Sequence, residues 1–188
     1  MRRHTKYLLA LAMLVTGGVL LTQIALPAQG GSTVQRGAAV APVPLNMKGL
    51  NPALVREGSY IVNAQGGCND CHTYPSYAVG GNPFIGEPEQ VNTACYLAGG
   101  ALFGPFRSRN LTPDANGRPA GRELWEFKEL MRHGTDFRGG ATPVLQVMPW
   151  PVYGKMVDRD LEAVYEYLKA IPSIQPRPAE CNQPDPPA

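Results

Sequence analysis

Charge is scarce in this chain: Asp, Glu, Lys and Arg together make up 17% of 188 residues, against about a quarter in an ordinary soluble domain. That excludes a coiled coil and a charge-driven disordered chain. Neither sign dominates, because 17 basic residues face 15 acidic ones. Three of the basic residues, Arg2, Arg3 and Lys6, lie in the first 28 positions with no acid beside them, so the rest of the chain is one charge to the negative side of neutral. No basic stripe is left to neutralise phosphates, which excludes nucleic acid as a partner. Alternating runs long enough for a useful strand are missing, as is any internal repeat. Histidine occurs three times and cysteine four times, so a site built on them has few candidates. Glycine (21) and proline (19) are plentiful, and loops must therefore carry much of the fold. The length suits one ordinary domain with a core of reasonable size.

The start, Met-Arg-Arg-His-Thr-Lys-Tyr, is a positive region followed by an apolar run from Leu8 to Leu21. Residues 1–28 read as a signal peptide cut after Ala28 or, less close to the apolar run, near Ala38 or Ala39. The alternative is an uncleaved anchor extending to Leu26, weakened by Thr22 and Gln23. Either way the rest of the chain is expected in the periplasm, where disulfides persist.

Residues 29–50, rich in Gly, Ala, Pro and Ser, are expected as a linker or arm. The domain is expected over 51–175 and is mainly α. Asn51-Pro52 offers an N-cap followed by proline at the first helical position, and Leu54, Val55, Gly58, Ile61 and Val62 place an apolar face on the helix that follows. Gly58 inside a helix predicts a close approach by another helix. Thr73 to Pro119 reads as loops. Glu123 to His133 puts Leu124, Phe127, Leu130 and Met131 on one stripe and ends at Gly134. A last helix is expected from a cap at Asp158, with Leu161, Val164, Tyr165 and Leu168 at i, i+3, i+4 and i+7, stopping at Pro172. Residues 176–188 form a tail with five prolines.

The four cysteines divide unequally. Cys95 and Cys181 stand alone, and a bridge between them would close a loop of nearly ninety residues, contribute roughly 4 kcal/mol in the chain-entropy model and tie down the tail. Two unrelated thiols, or a metal-binding Cys95, are the alternatives. Cys68 and Cys71 sit in Cys68-Asn69-Asp70-Cys71-His72. Thiols at i and i+3 on a helical turn can each add to a vinyl group of haem, while the adjacent imidazole reaches the iron. A thioredoxin-like redox pair would need a βαβ setting, which the sequence lacks. A zinc site would need four ligands, leaving Cys95 and His133 to complete an irregular set. A plain Cys68–Cys71 disulfide would leave His72 without a role.

The chain thus resembles a monohaem c-type cytochrome of the class I fold. In that family the attachment motif follows an N-terminal helix crossed closely by a C-terminal one, so the resemblance matches Gly58 and Tyr60 with Tyr165 and Tyr167. It implies one covalent haem c with His72 as one iron ligand and, as the second, a methionine on the loop before the last helix. Met148 in Met148-Pro149-Trp150 occupies that place. A thioether favours ferrous iron and raises the potential, whereas Met47 precedes the domain and Met131 lies on an apolar stripe; Met156 and His133 are the rivals, His133 having a simpler role as a cation at a helix end. Ser108-Arg109-Asn110-Leu111-Thr112-Pro113-Asp114 with Trp125 and Phe127 resembles a narrower group, the cytochrome domains of periplasmic dehydrogenases, over about residues 52–172. Many of those carry three haem motifs and this chain carries one. Arg107, Arg109, Asn110 and Trp125 are the candidates for hydrogen bonds to haem propionates; otherwise the arginines are solvated, Asn110 caps a turn and Trp125 is core. A backbone carbonyl near Pro83 or Pro105 is expected to accept from His72 and fix its orientation.

The resemblance implies a one-electron carrier and not an enzyme, exchanging electrons through an exposed edge framed by Thr73, Tyr74 and the Met148 loop. Its donor would be a periplasmic dehydrogenase and its acceptor a cytochrome or terminal oxidase. Membrane contact is expected only if the N-terminal segment is retained. The rival is an enzyme or a gas or redox sensor with five-coordinate iron, in which Met148 is apolar filling.

Overall fold

A computed structural model describes residues 31–138 and 144–186, so the segment read as a signal or anchor lies outside the described residues. Six helices carry the fold: α1 (Thr33–Val40), α2 (Pro52–Tyr60), α3 (Cys68–His72), α4 (Leu124–His133), α5 (Trp150–Tyr153) and α6 (Asp158–Ala170). A two-residue hairpin, β1 (Leu102–Phe103) with β2 (Phe106–Arg107), pairs Leu102 with Arg107 and Phe103 with Phe106. Among the described residues the domain is mainly helical, as expected, and this hairpin is its one sheet. None of the described helices is long and apolar enough to cross a membrane.

Helix α2 starts as expected: the Asn51 side chain accepts from the amides of Ala53 (3.0 Å) and Leu54 (3.4 Å), and Pro52 occupies the first turn. It runs on through a wider π-helical turn, Ile61–Gln65. Val55, Ile61 and Val62 are buried against Leu161, Val164 and Leu168 of α6 in one core that also holds Phe127 and Met131 of α4. At the α2–α6 crossing a Cβ on Gly58 would overlap the Ala163 carbonyl and meet Tyr167 Cβ at 2.8 Å. The glycine is therefore there for backbone-to-backbone contact, and the predicted partner is α6. Of the two tyrosines on that helix, Tyr167 faces α2 and Tyr165 stacks on Phe127 of α4 at 5.6 Å between centroids.

Two local expectations need correction. Residues 33–40, expected to belong to a linker, form α1, with Ser32 accepting from the Gln35 amide and Gln35 accepting from the Ser32 amide. Gly37 lets this helix press on Arg56 and Tyr60, and Ser59 Oγ donates to the Gly37 carbonyl at 2.8 Å. Eight residues with few large apolar side chains carry too little periodicity to announce themselves. The cap of α6 is Val157, not Asp158; Asp158 is the first helical residue and accepts instead from Arg132 and Lys128 of α4.

The loops between α3 and α4 are not all surface. Every residue from Cys95 to Gly100 is buried, and the segment is covered by the C-terminal tail. Cys95 and Cys181 are bonded, with Cα atoms 5.4 Å apart, as the sequence predicts. Around the bridge the Gln183 amide donates to the Gly100 carbonyl (3.0 Å), Arg107 donates to the Gln183 carbonyl (2.7 Å) and Arg177 donates to the Ala98 carbonyl (3.1 Å).

Candidate functional site

The Cys68–His72 turn follows α2 at once. Gly67, with φ of 57°, takes the left-handed conformation that turns the chain between the π-helical segment and α3. The turn is tied down on both sides. Below it, the Gly99 amide donates to the His72 carbonyl at 2.6 Å and the Leu97 amide donates to Thr73 Oγ1 at 2.9 Å, so the buried 95–100 segment acts as its floor. Beside it, Asn69 Nδ2 donates to the Ser76 carbonyl (3.2 Å) and Ser76 Oγ donates to the Thr73 carbonyl (3.2 Å).

Cys68 and Cys71 are free thiols. Each keeps some surface open while being shielded from water, and the chemistry follows from the shielding. Burial, reinforced by Cys71, pushes the Cys68 thiol up to about 12. Burial and the Asp70 carboxylate push Cys71 up as well. Both are therefore thiols and not thiolates at neutral pH. Cys95 is consumed in its disulfide, and among the described residues no group of three or more His, Cys, Asp or Glu side chains could hold a metal ion. The zinc arrangement thus lacks its ligands, and a Cys68–Cys71 disulfide is not formed.

His72 decides whether the site fits a haem. Its Nδ1 lies 2.8 Å from the Arg109 carbonyl oxygen. A carbonyl can only accept, so the proton sits on Nδ1 and the lone pair on Nε2 is left to bind iron. Burial pushes the imidazole pKa down, against the opposing pull of the Arg109 carbonyl, which keeps the ring neutral as a ligand must be. The orienting carbonyl predicted from sequence exists, but it belongs to Arg109 and not to the neighbourhood of Pro83 or Pro105. Two thiols held as thiols and an imidazole with a free Nε2 are what covalent haem attachment requires.

Met148 lies in the loop before α5 and packs, half-buried, against the core. That loop is anchored to the end of α4: the Leu145 amide donates to the Gly134 carbonyl (2.9 Å), Trp150 Nε1 donates to the Leu145 carbonyl (3.2 Å), and the Trp150 amide donates to the Met148 carbonyl (2.8 Å). Tyr153 of α5 donates its hydroxyl to the Gly66 carbonyl at 2.7 Å, which ties α5 to the turn that leads into Cys68. Of the alternatives, Met156 is half-buried against the core as Met148 is. Met131 is core, His133 is exposed beside Glu129, and the Met156 carbonyl accepts from Arg132.

The remaining candidates separate. Arg109 is half exposed, and its guanidinium pairs with Asp136, a wholly buried carboxylate whose other oxygen accepts from Arg122 at 2.5 Å. The Asp136 oxygen facing Arg109 is within ion-pair range without hydrogen-bond alignment. Asn110 donates to the Ile174 carbonyl (2.8 Å) and accepts from the amide and hydroxyl of Thr112 (2.9 and 2.7 Å), which is the turn-capping role. Arg107 is committed to the tail through Gly100, Gln183 and Asp185. Trp125 is 59% exposed beside Phe137 and is not core. Sequence reasoning missed a polar knot next to Cys68: the Tyr96 hydroxyl donates to Asn63 Oδ1 (2.5 Å) and lies 2.9 Å from the Tyr167 hydroxyl. Burial pushes both tyrosines up, so the knot is neutral.

The chain is 32% identical over 118 residues to the cytochrome c subunit of gluconate 2-dehydrogenase from Pantoea cypripedii, covering 63% of this chain and 23% of that protein. It is 29% identical over 149 residues to the cytochrome c subunit of the quinone alcohol dehydrogenase from Gluconacetobacter polyoxogenes, covering 79% and 27%, and 28% identical over 133 residues to the corresponding subunit from Gluconobacter oxydans, covering 71% and 24%. The chain spans about a quarter of the length of these relatives. No protein-family model and no solved structure matches it. Over the matched residues the chain is similar to cytochrome c subunits of dehydrogenases, as the motifs at 68–72 and 108–114 lead one to expect.

Proposed function

We propose that the chain is a periplasmic one-electron carrier holding one haem c, and that it passes electrons from a dehydrogenase to a respiratory acceptor, a cytochrome or terminal oxidase. The single observation that carries the proposal is the His72 Nδ1 contact with the Arg109 carbonyl, which leaves Nε2 as a neutral, oriented ligand beside two protonated thiols. The relatives support it, being cytochrome c subunits of dehydrogenases named for gluconate and for alcohol. When bound, the haem supplies one-electron exchange between ferric and ferrous iron.

The chain's own residues do the rest. Cys68 and Cys71 would hold the group on α3 as thioethers, each S–H adding across one vinyl group with the sulfur on one carbon and the hydrogen on the other. His72 would hold the iron through Nε2, with the Arg109 carbonyl setting the orientation of the imidazole and raising the basicity of Nε2. Met148 would be the second residue to hold the group, through a neutral sulfur that would leave no place for water or small ligands. The exposed part of the Arg109 guanidinium has donors to spare for a propionate, and Trp125 remains a second candidate donor; Asn110 contributes by holding the Arg109 segment to Ile174 and Thr112.

The test is coordination. The reduced protein is expected to refuse carbon monoxide, and Met148→Ala is expected to lower the potential and admit it. Rapid binding of carbon monoxide to the native ferrous protein would instead support five-coordinate iron, and with it an enzyme or sensor.

A further inference from the structure

Between Pro75 and Gln90 the chain makes an excursion that a minimal domain does not need, and it is not an apolar loop folded inward. Val79, Phe84 and Ile85 are 105%, 80% and 71% exposed. Together with Pro75, Tyr77 and Ala78 they line an open groove of about 640 Å³ whose charged lining residues are Asp70 and Glu87. The groove is built. The Ala78 amide donates to the Gln90 carbonyl (2.9 Å) and the Gln90 amide donates to the Gly81 carbonyl (3.0 Å). Asn82 caps the Pro83–Ile85 turn, and Glu87 accepts from the Asn82 amide at 2.8 Å. Tyr77 packs edge-on against Phe84 at 6.1 Å between centroids and donates its hydroxyl to Asp70 at 3.4 Å. Asp70 belongs to the attachment turn, so the patch is bonded to the element that carries Cys71 and His72.

Charge says what covers it. Asp70 and Glu87 line the groove, Glu89 follows two residues on, and no lysine or arginine occurs from Gly58 to Phe106, whereas Glu57 is paired with Arg159. The near-neutral total conceals this: the charged side chains that line the groove, Asp70 and Glu87, are both acidic. An apolar centre with an acidic rim attracts and seats a surface of the same shape with a basic rim, which fixes register and speeds encounter without a permanent interface.

We infer that the Val79–Phe84–Ile85 patch is the docking surface for the carrier's redox partner, and that the partner presents a Lys- or Arg-rimmed apolar surface to it. This rests on the carrier reading above and adds where electrons cross and to what kind of surface.

The experiment uses the full-length holoprotein with two probes of known charge. Tris(phenanthroline)cobalt(III) is a cation with apolar faces; ferricyanide is a compact anion. Each takes one electron from ferrous iron, becoming cobalt(II) or ferrocyanide. In stopped-flow mixing the cobalt reaction should slow as salt is added, and Glu89→Lys and the pair Phe84→Ser with Ile85→Ser should each slow it about threefold or more at low salt. The ferricyanide rate of the serine pair should be unchanged. A redox-inert readout places the contact: tris(phenanthroline)chromium(III), a paramagnetic analogue, should broaden the NMR signals of Val79, Phe84 and Ile85 before those of residues 144–152. Salt-insensitive cobalt rates, variants equal to wild type, or broadening centred on 144–152 would overturn the docking surface while leaving the carrier intact. A wild-type dimer in sedimentation that becomes monomeric in the serine pair would overturn it in favour of a second copy of this chain. Wild-type protein without haem absorbance would overturn the carrier reading itself, and the docking surface with it.

Discussion

The two cysteine pairs lie in regions built to opposite ends. Around Cys95 and Cys181 the sulfurs are spent on each other, the segment from Cys95 to Gly100 is buried, and the tail closes over it through Gln183, Arg107 and Arg177. Around Cys68 and Cys71 the sulfurs are unspent, partly open and held as neutral thiols. The same residue type serves as a staple in one region and as an attachment point in the other. The staple is what lets the attachment point be stiff, because Leu97 and Gly99 of the stapled segment hydrogen-bond the Thr73 side chain and the His72 carbonyl.

Breaking the pairs one at a time separates these roles. Replacing Cys68 and Cys71 by alanine is expected to abolish covalent haem entirely, read as loss of haem stain on a denaturing gel, while the Cys95–Cys181 bridge still forms. Replacing Cys95 and Cys181 should do the reverse: haem stays attached, and urea unfolding shows a loss of roughly 4 kcal/mol in the chain-entropy model. Where α2, which leads into the attachment turn, meets α6, which leads into the stapled tail, Gly58→Ala should cost about 1–3 kcal/mol from overlap with the Ala163 carbonyl, measured the same way.

A smaller effect concerns the polar flank of α4. Burial would raise the Glu126 carboxyl, but the Glu123 amide and the Arg138 guanidinium outweigh it and hold its pKa below the ordinary 4.5. Its contribution is therefore present above about pH 4.5 and is lost as pH falls through the folded value. Glu126→Gln should narrow the difference between urea midpoints at pH 7 and pH 3. The smallest effect sharpens the comparison at the sulfurs: in haem-free protein at pH 8, iodoacetamide should modify Cys68 more slowly than an unstructured peptide thiol, because a thiol raised to about 12 has almost no thiolate.

Much of this was legible in the residues. The helical periodicities at 52–62, 124–131 and 161–168 were carried by large apolar side chains, and they became α2, α4 and α6 with the expected faces buried. Cys68-x-x-Cys71-His72 has a fixed spacing because its chemistry needs one helical turn, and Gly58 marked the α2–α6 crossing because only backbone contact demands a glycine there. What escaped had no side-chain signature. The acceptor for His72 is the carbonyl of Arg109, and any residue has a carbonyl. Burial of Cys95–Gly100 comes from the tail folding over it, a long-range event that no local pattern records. Helix α1 was too short and too poor in large apolar residues, and Val157 caps α6 because Asp158 is drawn to Arg132 and Lys128 across the helix pair.

The central claim is that the Cys68–His72 turn carries one covalent haem, and it can be weighed directly. No lysine or arginine interrupts residues 57–106, so trypsin releases the turn within a single peptide ending at Arg107. Made in cells with cytochrome maturation machinery, reduced and digested, this peptide is predicted to carry the mass of one haem and to absorb visible light; recovery of the same peptide colourless, with both Cys68 and Cys71 open to alkylation, would contradict the account.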